Sequence, residues 1–539
     1  MKNKIVLLSI INQNMRGMYE DYGPSSIAAT MRSKGFDVLL LSEQETSVSF
    51  QEIIDFKPFI IGFSVYKVSK ESVYRVCRRL KAYLPDAIFI AGCIYPSYNH
   101  IAILQECPEI NAAIWGEGEA AFADLVQAYS GYSDISDVPN VTYRRGESIQ
   151  VNKPAQLIEN LDALPFESRD ILKRNKLRVA QISTSRGCTG HCTFCAKQLF
   201  WAKWRGRSVA NVVKEIEEIQ KLYGIDAFYF IDSSLEDPDG GKKRLWDLIN
   251  EILHRKLKIY FFANFRADFV RTASPELMRS LVSAGLCGAC IGLESFNDDD
   301  LKLYGKIATA EDNHRIIKLF RQFDIHIQPG FININPYTTL DGLRQNIRSL
   351  KQYKMLCNRS MFLNQLSIFQ GTAIHKKLQH DGLIKKGEFR ENGYNFVNSA
   401  VEKLVEFLQT YIALIPDHYN RNLNAVSYLA NDFMTLFHYF KRKYGHVGPL
   451  TAPIQSFDHQ IHQQIDIINE IVAVWYERLL DFIEQDRSNP EITAMSNELL
   501  LSDRLKKTAD SMHELKNNLF IEAARAGTSY LDDLTRVVF

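Results

Sequence analysis

The stretch Cys188-Thr-Gly-His-Cys192-Thr-Phe-Cys195 constrains this chain most, because it brings three thiols onto one short loop. Soft thiolates are the usual protein ligands of iron–sulfur clusters. Three of them hold three irons of a four-iron cluster and leave the fourth open to a small chelating ligand. His191 offers a second reading, a Cys3His zinc set. Zinc sites usually draw their ligands from two separated knuckles, whereas His191 is adjacent to Cys192. The loop follows an apolar, strand-like run from Arg178 to Arg186.

A chain of 539 residues has room for about three domains. Its 46% hydrophobic and 24% charged residues describe an ordinary globular protein. A net charge of +1 gives no support to a nucleic-acid or membrane-surface role. The apolar run Lys2–Ile11 is too short for a secretory signal and lacks a cleavage pattern. No apolar stretch approaches the ~18 residues of a membrane span. Nine cysteines over this length are no disulfide framework, and a thiolate ligand set needs a reducing compartment. A cytoplasmic, oxygen-sensitive protein without nucleic-acid partners is expected.

Residues 1–130 alternate strand and helix signals. Strands are predicted at Ile5–Ile11, Val38–Leu41, Phe59–Val65, Ala87–Ala91 and Ala112–Trp115, and helices at Ser25–Gly35, Ser69–Leu84 and Glu119–Tyr129. Continuous apolar runs separated by helices imply a parallel sheet buried on both faces. A doubly wound, flavodoxin-like sheet follows, binding ligands beyond its strand carboxyl ends. Those ends read Ser64-Val-Tyr-Lys67, Gly92-Cys-Ile-Tyr-Pro-Ser-Tyr98 and Gly116-Glu-Gly-Glu119. Residues 131–177 form a linker with a hairpin at Val141–Val151, turning at Gly146. From Arg178 to residue 394 six strand signals alternate with helices: Arg178–Arg186, Ala227–Asp232, Lys258–Asn264, Cys287–Glu294, His326–Asn333 and Met361–Phe369. They predict a partial TIM-like (β/α)6 barrel with its active face at the strand carboxyl ends. Ser274 and Pro275 mark the start of one barrel helix. Residues 395–539 lose the alternation and contain no cysteine. Ile461, Ile465, Ile468, Val472, Trp475, Leu479 and Phe482 mark one amphipathic helix of an all-α domain, and Val401, Leu404, Val405 and Leu408 another.

The CxxxCxxC loop in this setting resembles the radical S-adenosylmethionine (SAM) superfamily, and the first domain resembles the cobalamin-binding domain that precedes many of its members. The resemblance implies a [4Fe-4S] cluster on Cys188, Cys192 and Cys195, with the SAM amino and carboxylate groups on the open iron. One electron from the cluster would then cleave SAM to a 5′-deoxyadenosyl radical. It implies further SAM contacts: Phe194 beside the adenine, Asp232 and Ser233 at the amino group, and Glu294 accepting from the ribose hydroxyls. Arg266 would pair with the SAM carboxylate, the alternative being a surface ion pair with Asp268. Cobalamin is implied at Ser64, Gly92, Cys93 and Gly116. The chain departs from the family at Cys93, where a second glycine is common, and at Tyr95, where a histidine is. The Asp-x-His-x-x-Gly motif is absent, the corresponding loop reading Asn12-Gln-Asn-Met-Arg-Gly17.

Cys287, Cys290 and Cys357 read as buried small hydrophobes, and Lys203–Arg207 as a basic loop gripping cofactor carboxylates or phosphates. Phe433, Phe437, Tyr439 and Tyr444 are candidates to shape a substrate pocket. The resemblance implies methylation of an unactivated carbon of a metabolite, natural product or peptide, fed by an electron donor such as flavodoxin or ferredoxin. Radical cyclisation, rearrangement or oxidation without methyl transfer is the alternative. A non-catalytic iron–sulfur sensor or interaction protein is the alternative from another class.

Overall fold

A computed structural model describes residues 3–11, 20–385, 393–415 and 417–537. The chain divides into two compact units, Met1–Gly187 with Lys197–Asp232, and Cys188–Ala196 with Ser233–Phe539.

In the first unit, apolar runs buried on both faces form β1 (Lys4–Ile11), β2 (Asp37–Gln44), β3 (Ile60–Ser64), β4 (Ile88–Gly92) and β5 (Ala112–Ile114), all parallel. The spatial order β2-β1-β3-β4-β5 is flavodoxin-like. Helices Tyr22–Ser33, Lys70–Tyr83 and Gly118–Tyr129 lie close to the predicted ranges, and Phe50–Phe56 and Ile94–Glu106 complete the alternation. The predicted hairpin forms as β6 (Val141–Arg145) and β7 (Ser148–Val151). It adds two antiparallel strands beside β5, so that Val141, Thr142 and Tyr143 are buried. This covers an edge that would otherwise be open to pairing. Further along, β8 (Val179–Ile182), the short β9 (Ser185–Arg186) and β10 (Arg205–Gly206), and β11 (Ala227–Phe230) follow. β8 pairs in parallel with β11, and β9 with β10 as an antiparallel ribbon. The helix Val209–Tyr223 runs from a Ser208 cap to Gly224 in the left-handed region.

In the second unit, β12 (Tyr260–Arg266), β13 (Leu286–Glu294) and β14 (His326–Phe331) run parallel. The helices Arg244–His254, Pro275–Ser283, Ala310–Gln322 and Leu340–Gln352 alternate with them. Ser274 accepts from the Leu277 amide, as its place before Pro275 predicts. Ala263, Phe265, Ala289, Ile291, Leu293 and Ile327 are buried on one face. The period of two turns Asn264, Cys290 and Gln328, which share one register row, to the other.

The sixth strand differs from its prediction. Over Met361–Phe369 the chain begins as a helical turn, Ser360–Leu363, started by Asn358, whose side chain accepts from the Ser360 amide. It then makes one parallel bridge, Gln365 to Ile334. A short apolar run does not itself distinguish strand from helix; here Phe362 is drawn onto Trp475 and Tyr476, with ring centroids 5.5 and 6.1 Å away.

The tail is helical. Helix Ser399–Leu414 buries Val401, Leu404, Val405 and Leu408, and helix Gly448–Glu484 buries the predicted stripe except Phe482, which is half-exposed. Helix Met434–Tyr444 reaches the strands: Gln328 donates to Thr435 Oγ1 at 2.7 Å, and Tyr439 meets Tyr260 edge-on. Phe433 and Phe437 pack on Phe457, while the hydroxyls of Tyr439 and Tyr444 bond Asp533. These four aromatics are core and anchoring residues, a correction to the pocket reading. Cys287 and Cys357 are buried as predicted, and Cys290 half-buried. Among the described residues no helix is long and apolar enough to cross a membrane.

Candidate functional site

The cysteine loop leaves β9 through Gly187, whose φ is +87°. A Cβ there would lie 2.2 Å from the Lys203 carbonyl oxygen, so only glycine permits this crossing. Beyond it the loop is bolted at two points. Asp237 accepts from the Thr189 amide at 3.0 Å and from its hydroxyl. Thr193 donates through its amide to Tyr304 O at 2.8 Å and through its hydroxyl to Leu303 O at 2.7 Å. Between and beside these bolts stand Cys188, Cys192 and Cys195, each half-buried. Burial, with Asp237 behind it, pushes the Cys188 thiol up to about 11, so iron binding there would displace a proton. His191 is exposed. Among the described residues no three His, Cys, Asp or Glu side chains converge on a single ion position. Iron–sulfur clusters take cysteine thiolates as their ligands. The donor set, all sulfur on one anchored loop, fits such a cluster.

Glu294 ends β13 in the left-handed region, at φ +65°, where the register with β14 shifts. The Ile332 amide donates to its carbonyl at 2.8 Å, and Lys306 Nζ stands 3.7 Å from its carboxylate. A Cβ on Gly292 would come 2.9 Å from that carboxylate, so glycine lets the side chain lie back over the strand end. Lys306 and Glu294 both act on the charge of Cys192. Phe194 stands edge-on to Tyr304 at 5.6 Å.

Arg266, at the end of β12, is only 14% exposed and is no surface pair. It binds Asp237, Asp268 at 3.1 Å and Thr189 Oγ1 at 3.1 Å, and its Nη1 reaches Cys188 Sγ at 3.8 Å. Its amide donates to the buried Glu236 at 3.0 Å. Burial raises Glu236 to about 7, against the pull of Arg266 and Ser234. Among the described residues the hydroxyl of Ser233 is buried without a partner, and so is free to bond a polar ligand. Asp232, in the first unit, accepts from the Thr184 amide and from the hydroxyls of Thr184 and Ser185, which gives it the task of holding that turn. Thus Cys188, Cys192, Phe194, Arg266 and Glu294 come together. Lys306, Asp237 and Thr189 join them without having been singled out in the sequence. The run Glu236-Asp237-Pro238 after a strand was the available signal for Asp237; Lys306 had none.

In the first unit, Ser64 and Gly92 are register partners at the ends of β3 and β4. A Cβ on Gly92 would enter open space. Cys93 follows at φ +86°, ψ −161°, its thiol against the hydroxyls of Ser64 and Tyr66. Tyr66 also bonds the buried Asp21 at 3.3 Å, and burial raises the Asp21 carboxyl. Gly116 has φ +81°, and its amide donates to Ser97 Oγ at 3.1 Å. The loop Asn12–Gly17 lies outside the described residues. Among the described residues, the clear space over Gly92 at the strand ends leaves room for a ligand to approach the backbone there.

The basic loop Lys203–Arg207 is corrected. Arg205 binds Glu117 at 2.9 Å, Arg207 binds Glu215 at 2.6 Å and Lys203 binds Glu159 at 2.7 Å. Arg186 joins Glu117 and Glu119, and Arg169 joins Glu20 and Glu215. Apart from the exposed Lys203–Glu159 pair, these cations neutralise buried carboxylates of their own unit.

Residues 8–126 match the B12 binding domain and residues 182–347 the Radical SAM superfamily. The chain thus carries a B12-binding domain and a Radical SAM domain. It is 27% identical, over 60% of its length, to an uncharacterized methyltransferase of Pyrococcus horikoshii, covering 72% of that protein. It is 29% identical over 56% of its length to the anaerobic magnesium-protoporphyrin IX monomethyl ester cyclase of a Synechocystis species, covering 62% of that relative. Among solved structures, the cobalamin-dependent S-adenosylmethionine radical enzyme OxsB with aqua-cobalamin bound superposes with a TM-score of 0.71. That match has 20% identity and covers 99% of this chain and 83% of OxsB. The radical methyltransferase TsrM from Kitasatospora setae follows at a TM-score of 0.60, 15% identity, and 74% and 79% coverage. At these identities the likeness establishes the fold.

Proposed function

We propose that the radical SAM protein is a cobalamin-dependent enzyme that methylates an unactivated carbon of a small molecule, using electrons from a flavodoxin- or ferredoxin-like donor. The observation that carries this reading is the bolted loop, with three half-buried cysteines and with Glu294, Lys306 and Arg266 set around it. Cys188, Cys192 and Cys195 hold the [4Fe-4S] cluster, which when bound supplies the electron that cleaves SAM to a 5′-deoxyadenosyl radical. Glu294 accepts from the ribose hydroxyls, with Lys306 Nζ 3.7 Å from its carboxylate. Ser233 offers its unpaired hydroxyl to the SAM amino group, Phe194 walls the adenine, and Arg266 meets the SAM carboxylate from its clamp beside Cys188. In the other domain Ser64, Gly92, Cys93 and Gly116 border the space for cobalamin, which when bound carries the methyl group. The protein's task is to orient these groups and exclude water and oxygen.

The test is anaerobic reconstitution with iron, sulfide and hydroxocobalamin, followed by reduction in the presence of methyl-labelled SAM and candidate substrates. A cluster spectrum, 5′-deoxyadenosine above the free-cluster background and label in the product are expected. Iron content unchanged on replacing each of the three cysteines would end this reading. A second reading, cyclisation or oxidation without methyl transfer, is favoured by the cyclase relative and by Cys93 at a glycine-type position. It predicts deoxyadenosine with no transferred label.

A further inference from the structure

We infer that Arg266, held by Asp237 and Asp268, sets the reduction potential of the cluster through the sulfur of Cys188. The inference rests on the reading of the cysteine loop as the cluster site, and makes Arg266 a positioning and tuning residue beyond any contact with SAM. Cys188 Sγ accepts from the Gly190 amide at 3.3 Å and from Arg266 Nη1 at 3.8 Å. The guanidinium cannot leave easily. Its Nη1 is bound to Asp237 and Thr189, its Nε to Asp268, and its backbone amide to Glu236. Asp237 itself is buried and ties down the Thr189 amide and hydroxyl, so one carboxylate fixes both the loop and the arginine.

Hydrogen bonds to sulfur and nearby net charge are the protein's levers on cluster potential. A cation and two donors on one cysteine favour the reduced, more negative state. Asp237 and Asp268 oppose that effect, because their charges act on the same cluster with the other sign. The site therefore holds opposed charges in a half-buried setting, where screening by water is weak.

The signature is a pair of opposite shifts. In full-length, reconstituted protein without SAM, an EPR-monitored redox titration should give a lower midpoint for Arg266→Met than for wild type. Arg266→Lys should recover part of the difference. Asp268→Asn, which leaves both loop bolts intact, should raise the midpoint, and Asp237→Asn should raise it further. Iron and sulfide content checks that each variant still holds a cluster. Should Asp237→Asn lose it, Asp268→Asn and Arg266→Lys still decide the sign. Midpoints equal to wild type, or all displaced in one direction, would overturn the inference. A wild-type protein that holds no cluster would instead remove the functional reading beneath it. If Arg266 served only the SAM carboxylate, Arg266→Met would weaken SAM binding and leave the SAM-free midpoint unchanged, which also overturns the inference.

Discussion

At Cys93 the backbone takes φ +86° and ψ −161°, a region that essentially only glycine occupies without strain. Such strain costs about 1–3 kcal/mol, partly offset by the roughly 0.5–1 kcal/mol entropic cost of a glycine. Cys93→Gly should therefore raise stability by about 1 kcal/mol, read as a higher urea midpoint; a lower midpoint would show that the buried thiol packs too well to lose. Glu236 poses a different question, because it is fully buried, one of its oxygens has no partner, and burial raises it to about 7. Unfolded, the same carboxyl titrates near ~4.3. Between those values the folded state keeps a proton that the unfolded state releases, so stability falls as pH rises through the window. The full effect approaches about 4 kcal/mol at pH 8. Glu236→Gln should flatten urea-derived stability between about pH 5 and 7 and exceed wild type at pH 8. Parallel pH profiles for the two proteins would refute this account.

Among elements, the strand-end segment Gly116-Glu-Gly-Glu119 and the short β9 are joined by buried charge. Arg186 bridges Glu117 and Glu119, with Arg205 on Glu117 and the Ser26 hydroxyl on Glu119 at 2.8 Å. Burial alone would raise Glu119; Arg186 and Ser26 outweigh it and hold the carboxyl below its usual range. Arg186→Met should cost roughly 3–5 kcal/mol, since it leaves the buried Glu119 without a cation and Glu117 with Arg205 alone. A loss under about 1 kcal/mol in urea unfolding would mean that water reaches them. The same elements show where sequence reading stopped. The five parallel strands of the first sheet were legible, because buried parallel strands are near-continuous apolar runs with little else to be. The stretch Met361–Phe369 was not, because its partners Trp475 and Tyr476 lie more than a hundred residues on. Nor was the destiny of Arg205 and Arg207 legible, since their carboxylate partners come from separate segments and a cluster of arginines looks alike facing a cofactor or facing glutamates.

Across the whole chain, what the sequence by itself determined is local or periodic. The spacing of Cys188, Cys192 and Cys195 puts three thiols on one loop in any fold. Alternating apolar runs and amphipathic stretches define two α/β regions and a helical tail, because hydrophobic period reports burial directly. Tertiary structure alone decided which polar side chains meet. It turned Arg266 from a surface pair into a clamp against Cys188, brought Lys306 beside Glu294, gave Asp232 to the turn ahead of the loop, and made core of the tail's aromatics. The physical reason is that a charged or hydroxyl side chain pairs with whatever the fold places within a few ångströms. That neighbour is set by topology, while the strength of a metal-binding motif is already set by its own covalent spacing.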